Sequence, residues 1–224
     1  MLSTLDEPLI TKRVSDKPRR GRPKKPLADT SDTREALLRA GMLMLTEAGF
    51  IRSGIDPILK SIGVPKGSFY HYFPSKEAFG LAVLARYRRY FDAKLDAFLL
   101  DAAFSPLERL QRFVQDAQDG IVRHEFKRGC LVGNLEQESS LLSEAFSEQL
   151  QATYQSWQAR VAACLLESQK QGEIELHVSI EETAQTFWMG WEGAVHRARL
   201  VKSIQPLDLF MAFFIQAIQV KTAQ

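Results

Sequence analysis

The chain has 224 residues, 45% of them hydrophobic and 25% charged, which is ordinary globular usage and enough length for a core without disulfides or metal. At roughly 150 residues per domain this makes one or two domains. With 29 Lys and Arg against 27 Asp and Glu, the formal net charge is +2, which excludes a strongly acidic or strongly basic protein overall and is silent on where the charge sits.

The charge is unevenly placed. Residues 1–26 carry eight basic and three acidic side chains, net +5; residues 27–80 carry six of each; residues 81–224 carry fifteen and eighteen, net −3. A basic N-terminal arm set against a mildly acidic body suits a polyanion, and equally a solvated tail. The arm reads Lys17-Pro18-Arg19-Arg20-Gly21-Arg22-Pro23-Lys24-Lys25-Pro26. Its prolines and glycine exclude a helix and favour an extended chain. The core Arg20-Gly21-Arg22-Pro23 resembles an AT-hook, which lies in a narrow A·T minor groove with its arginines, here Arg20 and Arg22, in the negative potential. Four residues carry weight only if a DNA-binding module follows directly. Met1 to Glu7 lacks the basic and apolar regions of a signal peptide, no apolar run approaches 18 residues, and Cys130 and Cys164 make no disulfide framework. The expectation is a soluble protein of a reducing cytoplasm.

After the arm, Asp29-Thr30-Ser31-Asp32 offers helix N-caps, and Leu37, Leu38, Met42, Leu45 and Ala48 recur at helical spacing before Gly49. Ser53-Gly54 starts a second helix with Pro57 in its first turn and Ile55, Ile58, Leu59 and Ile62 on its apolar face. Gly63-Val64 turns the chain, Pro65 opens a third short helix from Lys66 to Phe73, and Ser75-Lys76-Glu77 starts a long fourth one. Two short helices joined by a glycine-containing turn describe a helix-turn-helix, whose second helix enters the major groove. Lys66, Ser68, Tyr70 and His71 are donors and acceptors suited to phosphates and base edges, while Phe69 and Phe73 share the inward face. An amphipathic hairpin in some core gives no reason to crowd Lys, Gly, Ser and His into so short a helix.

Gly49-Phe50, the segment from Ile58 to Val64, and Lys66-Gly67-Ser68-Phe69-Tyr70-His71-Tyr72-Phe73-Pro74-Ser75-Lys76-Glu77 closely resemble the DNA-binding domain of the TetR (tetracycline repressor) family over residues 33–80. The resemblance implies DNA contacts from Ser53, Lys66, Gly67, Ser68, Tyr70, His71 and Lys76, with Lys76 on a phosphate at the start of the fourth helix. One departure is Gly54, where many members have a threonine; Ser53 would take over that contact.

Residues 81–224 read as helices throughout, at 76–100, 106–124, 129–139, 143–171, 180–203 and 206–222, with breakers between them. With the first three this makes nine, the family's usual number. The fold expected is all-α: an arm over 1–28, a helix-turn-helix domain over 29–80 and a ligand-binding and dimerisation domain over 81–224. The last two helices are apolar on more than one face, so they are buried or paired. In the family they form a four-helix bundle with a second subunit, where Gly190 and Gly193 would allow close approach; a homodimer also suits a palindromic double-stranded DNA operator.

Arg128-Gly129-Cys130-Leu131-Val132-Gly133-Asn134-Leu135 and Trp188-Met189-Gly190-Trp191-Glu192-Gly193-Ala194 resemble a subgroup of the family that includes acrylate-responsive and electrophile-sensing repressors. The resemblance implies a small-molecule inducer, acrylate-like or otherwise electrophilic, and gives Cys130 the role of sensor. Lys127, Arg128 and a nearby helix N-terminus would favour its thiolate; the other reading is a buried cysteine packing as a small hydrophobe. Where electrophile sensors have a lysine thought to partner the cysteine, this chain has Arg199, which puts a cysteine–lysine link in doubt. Pocket candidates are Phe113, Tyr154, Trp157, Trp188, Trp191, Glu192 and His196, the aromatics shaping an apolar cavity and Glu192 needing a partner such as Arg197 or Arg128 if buried. Cys164 reads as core. No metal-ligand spacing, phosphate loop or nucleophile motif occurs, so neither an enzyme nor a cofactor is expected. The function expected is a ligand-responsive repressor; an activator, or a regulator without a small ligand, stays open.

Overall fold

The computed structural model describes residues 30–219; Arg20, Arg22 and the rest of the basic arm lie outside the described residues. Nine α-helices make up the described chain: α1 (Thr30–Ala48), α2 (Ile55–Ile62), α3 (Lys66–Tyr72), α4 (Lys76–Leu99), α5 (Pro106–Arg123), α6 (Leu131–Gln137), α7 (Glu144–Lys170), α8 (Ile180–Val201) and α9 (Gln205–Ile218). The all-α expectation holds, with a single β-bridge between Ile174 and Gln219. Among the described residues, no helix is long and apolar enough to cross a membrane.

Local chemistry sets most boundaries. Gly63 ends α2 in the left-handed conformation at φ 66°, returning N–H groups to the last carbonyls of the helix. Ser75 accepts from the amide of Ala78 to start α4, and Ser179 and Glu182 form a reciprocal capping box at α8. The sixth helix is shorter than the expected 129–139. Cys130 is extended (φ −73°, ψ 129°), the Gly129 amide bonds the Thr46 carbonyl 3.2 Å away, and a 3-10 turn follows at Ser139–Leu141.

Leu37, Leu38, Leu45, Ile58, Leu59, Phe69 and Phe73 form the core of the first three helices. Phe79 of α4 closes it, its ring centroid 5.3 Å from Phe69 and 5.0 Å from Phe73. A Cβ at Gly41 would stand 2.5 Å from that ring, so glycine there lets α4 seat against α1. Further along, α4 packs against α5 and α7 through Phe91, whose ring lies 4.4 Å from Trp157 and 6.0 Å from Phe113. One rigid helix therefore belongs to both cores.

On the far side, α8 and α9 pack together through Phe187 and Phe214. Gly190 serves this intrachain contact: a Cβ there would meet Phe210 at 2.1 Å. Gly193 instead faces open space. The outward side of the pair carries Met189, Leu200, Leu209 and Phe213, each at least two-thirds exposed.

Candidate DNA interface and body cavities

The outer face of α3 presents Lys66, Gly67, Tyr70 and His71 to solvent, with Ser68 half-buried beside them. Phe69 and Phe73 point inward, as their spacing predicts. Gly67 has nothing within 4 Å of where a Cβ would be, so its smallness answers no demand from inside the protein. Lys66 is salt-bridged to Asp56 at 3.1 Å across the helix-turn-helix. Lys76 reaches back over the Phe50 ring, 4.5 Å from its centroid, and donates to the Ile51 carbonyl at 3.3 Å. Burial lowers the Lys76 pKa, and the Glu138 carboxylate partly offsets this.

Ser53 requires a correction. It is buried, and its hydroxyl donates to the Gly49 carbonyl, so the turn itself consumes the group expected to meet phosphate. Arg52 and Lys60, beside and within α2, are exposed cations that the motif alone did not single out. Arg52 lines a cleft of about 380 Å³ together with Lys66 and Lys76. Its position one residue before Ser53, in the turn that opens the motif, was the available signal.

In the body, Glu192 stands between two cavities. The first, about 590 Å³, is walled by Tyr87, Phe91, Phe98, Cys130, Trp191 and Glu192, and its rim holds Arg39, Lys94, Asp116, Arg123, His124 and Arg128. The second, about 510 Å³, is lined by Tyr154, Trp188, Glu192 and His196, with Glu136 and several glutamines. Phe113 and Trp157 border neither. They are fully buried, with the Trp157 ring packed at a tilt against Phe91 and Trp188, so they back the walls instead of forming them.

Two electrostatic expectations also fail. Lys127 turns to Glu125, and Arg128 bonds Glu47 at 3.1 Å and His124, so neither cation serves Cys130. Burial, and then the Glu192 charge, push the Cys130 thiol well above its ordinary value, while Tyr87 donates its hydroxyl to the sulfur at 3.8 Å. Glu192 is 5% exposed, yet neither Arg128 nor Arg197 meets it and both its oxygens lack a hydrogen-bond partner. Burial raises its pKa to about 7. Cys164 is core, as expected, its thiol donating to the Pro106 carbonyl.

The wall of the first cavity is joined to the DNA-binding helices by a polar seam. The last carbonyls of a helix have no partner within it; at the end of α1 the body supplies them. Asn134 of α6 donates to the carbonyls of Leu45 (3.0 Å) and Thr46 (2.9 Å). Arg199 of α8 passes over Gly129 to the Asn134 side chain (2.9 Å) and to the Glu47 and Lys127 carbonyls (3.0 Å each). Glu138 accepts from the Phe50 and Ile51 amides at 2.7 and 3.2 Å, in the turn before α2. Neither end of this seam is visible in local sequence.

A helix-turn-helix with a polar outer face, seated on a helical body with internal cavities, defines a DNA-binding transcriptional regulator. Residues 37–83 match the model of the bacterial regulatory proteins of the tetR family, and residues 106–214 match the tetracyclin repressor-like C-terminal domain. The chain is 45% identical to the transcriptional regulator AcuR of Cereibacter sphaeroides over 90% of its own length and 91% of that protein. It is 31% identical to the HTH-type transcriptional repressor NemR of Escherichia coli K12 over 81% and 91% of the two chains. Among solved structures, a regulatory protein TetR from Rhodobacter sphaeroides aligns at TM-score 0.80 and 44% identity, over 82% of this chain and 97% of that one. The reduced form of E. coli NemR aligns at 0.79 and 30%, over 86% and 100%. The chain belongs to the TetR family.

Proposed function

We propose that this regulator is a repressor that a small molecule releases from its operator. In this reading the arm (1–28) and the helix-turn-helix domain (29–80) bind double-stranded palindromic DNA, and the remainder (81–224) holds the ligand and pairs two copies into a homodimer. Lys66, Gly67, Ser68, Tyr70 and His71 face the major groove. The inducer, an acrylate-like molecule or another electrophile, acts at the cavity containing Cys130.

The observation that carries this reading is the seam. Cys130 immediately precedes α6, and four residues later Asn134 holds the end of α1. A group added at Cys130 displaces the residues that position the DNA-binding helices. Release is then a shift between two head geometries, and the ligand must favour the non-binding one by several kcal/mol.

The test is operator binding by the full chain with acrylate or N-ethylmaleimide, using wild type and Cys130→Ser. Wild type should dissociate and the variant should stay bound. Release of both alike removes Cys130 from the mechanism; indifference of both removes ligand control.

A further inference from the structure

A buried carboxylate with no hydrogen-bond partner is among the costlier things a core can contain. Glu192 is such a carboxylate, and it lies against the glycine of α6. A Cβ at Gly133 would stand 2.2 Å from Glu192 Oε2, so glycine there leaves the carboxylate room against α6. Cys130 stands at the start of that same helix, three residues before Gly133, and shares the wall of the 590 Å³ cavity with Glu192.

The thiol needs a proton acceptor if it is to react, because its surroundings hold it protonated. The groups facing the pair from the packed elements are the hydroxyls of Tyr87 on α4 and Tyr154 on α7, Glu136 of α6, and His196 one turn along α8. Tyr87 is a donor to the sulfur, the Tyr154 hydroxyl donates a hydrogen bond to Glu136, and His196 opens on the second cavity. Of the rim groups, Arg128 and His124 bond each other, and Lys94 is paired with Asp116. Among the described residues, Glu192 is the base on the wall of this cavity that has no partner of its own.

We propose that Glu192 is the general base for Cys130, taking the thiol proton as the sulfur attacks an α,β-unsaturated carbonyl compound in the cavity. This rests on Cys130 being the responsive residue. The S–H bond breaks and its proton passes to the Glu192 carboxylate. A sulfur electron pair forms the bond to the β-carbon, and the C=C π pair moves to the α-carbon as an enolate. The enolate then takes the proton from the Glu192 carboxylic acid, leaving a saturated thioether and a regenerated carboxylate. No oxidant or reductant is consumed.

The experiment follows formation of the N-ethylmaleimide adduct on Cys130 in the full chain by mass spectrometry with peptide mapping, from pH 6 to 9. It uses wild type, Glu192→Gln and Glu192→Asp, with circular dichroism verifying each fold. In wild type the rate should rise as Glu192 ionises and level off above about pH 7. Glu192→Gln should slow the reaction by roughly 10²-fold or more, the usual worth of a general base, and leave a rate that climbs only as the thiol itself ionises. Glu192→Asp should recover part of the rate and the plateau. A Gln variant with wild-type rate and profile overturns the proposal and leaves Cys130 as the responsive residue. Wild type that releases DNA without a Cys130 adduct overturns both. Should the Gln variant not fold, the wild-type profile decides alone: a rate still climbing through pH 9, without a plateau, excludes Glu192.

Discussion

At the scale of single residues, Glu192 ties stability to chemistry. Its pKa stands at about 7 in the folded chain against an ordinary 4.5. Between those values the folded chain keeps a proton that the unfolded chain has released. Its contribution is therefore full below pH 4.5 and is lost as pH rises through about 7. At about 1.4 kcal/mol per pKa unit, the cost at pH 8 is roughly 3 kcal/mol. Glu192→Gln is neutral throughout and should lose this dependence. Urea unfolding at pH 5 and pH 8 should show wild type weakening by a few kcal/mol relative to the variant. A constant difference between the two proteins would refute the linkage. Cys164 is the contrast: it is buried and hydrogen-bonded to a carbonyl, with nothing unpartnered beside it. In the sequence Cys130 stands apart through Lys127 and Arg128, but in the fold both cations turn to other carboxylates. What separates the two cysteines is the carboxylate brought to Cys130 from 62 positions away.

At the scale of elements, the seam between α1, α6 and α8 should behave as a coupling device and not only as structure. Asn134→Ala strips two hydrogen bonds from the end of α1 and one from Arg199. Arg199→Ala removes charge-assisted bonds to Asn134 and to two carbonyls. Each variant should lose about 1–3 kcal/mol, the cost of leaving such groups unpaired. Each should also bind operator less tightly and respond less to the inducer, because α1 no longer follows α6. Titrations of labelled operator with and without N-ethylmaleimide measure both effects. A variant that loses stability but keeps the full inducer response would reduce the seam to a structural contact. The same elements mark what the sequence discloses. Helix α2 was legible end to end, since an apolar face and a left-handed Gly63 are local signals. Helix α6 came out shorter than expected because its start is set by a hydrogen bond from Gly129 to Thr46, 83 positions away in the chain. The solvent-facing polar residues of α3 were legible by their chemistry. Ser53 was misplaced because a hydroxyl that bonds its own turn reads identically to one that meets a phosphate. The aromatic pocket was legible as composition only. Which rings face a cavity and which back it depends on how α5 and α7 meet α8.

At the scale of the whole molecule, the +2 total is a cancellation between an arm at +5 and a body at −3, with the helix-turn-helix region neutral. That neutrality matters for DNA binding, because Lys66 is engaged with Asp56 and Lys76 with a carbonyl and a ring. The head alone offers few free cations to phosphate, so much of the electrostatic attraction should come from the arm. Each phosphate neutralised on duplex DNA contributes about −0.9 to the slope of log affinity against log salt. Deleting residues 1–26 removes eight cations and should weaken operator binding most at low salt, flattening the slope by several units in the proposed dimer, which would carry two arms. The proposed homodimer, if seated on the exposed strip of α8 and α9, can be varied independently through that strip. Leu209→Glu with Phe213→Glu places charge on two of its most exposed apolar positions without touching the core. Light scattering should then report a monomer. Operator affinity should fall because one head cannot span two half-sites, while each remaining head keeps the salt slope of a single arm. Arm deletion and strip mutation thus predict different signatures, a flattened slope in an intact dimer against a halved slope in a monomer. An arm-deleted dimer whose slope equals wild type would assign the phosphate contacts to the head after all, with Arg52 and Lys60 among the exposed cations left to make them.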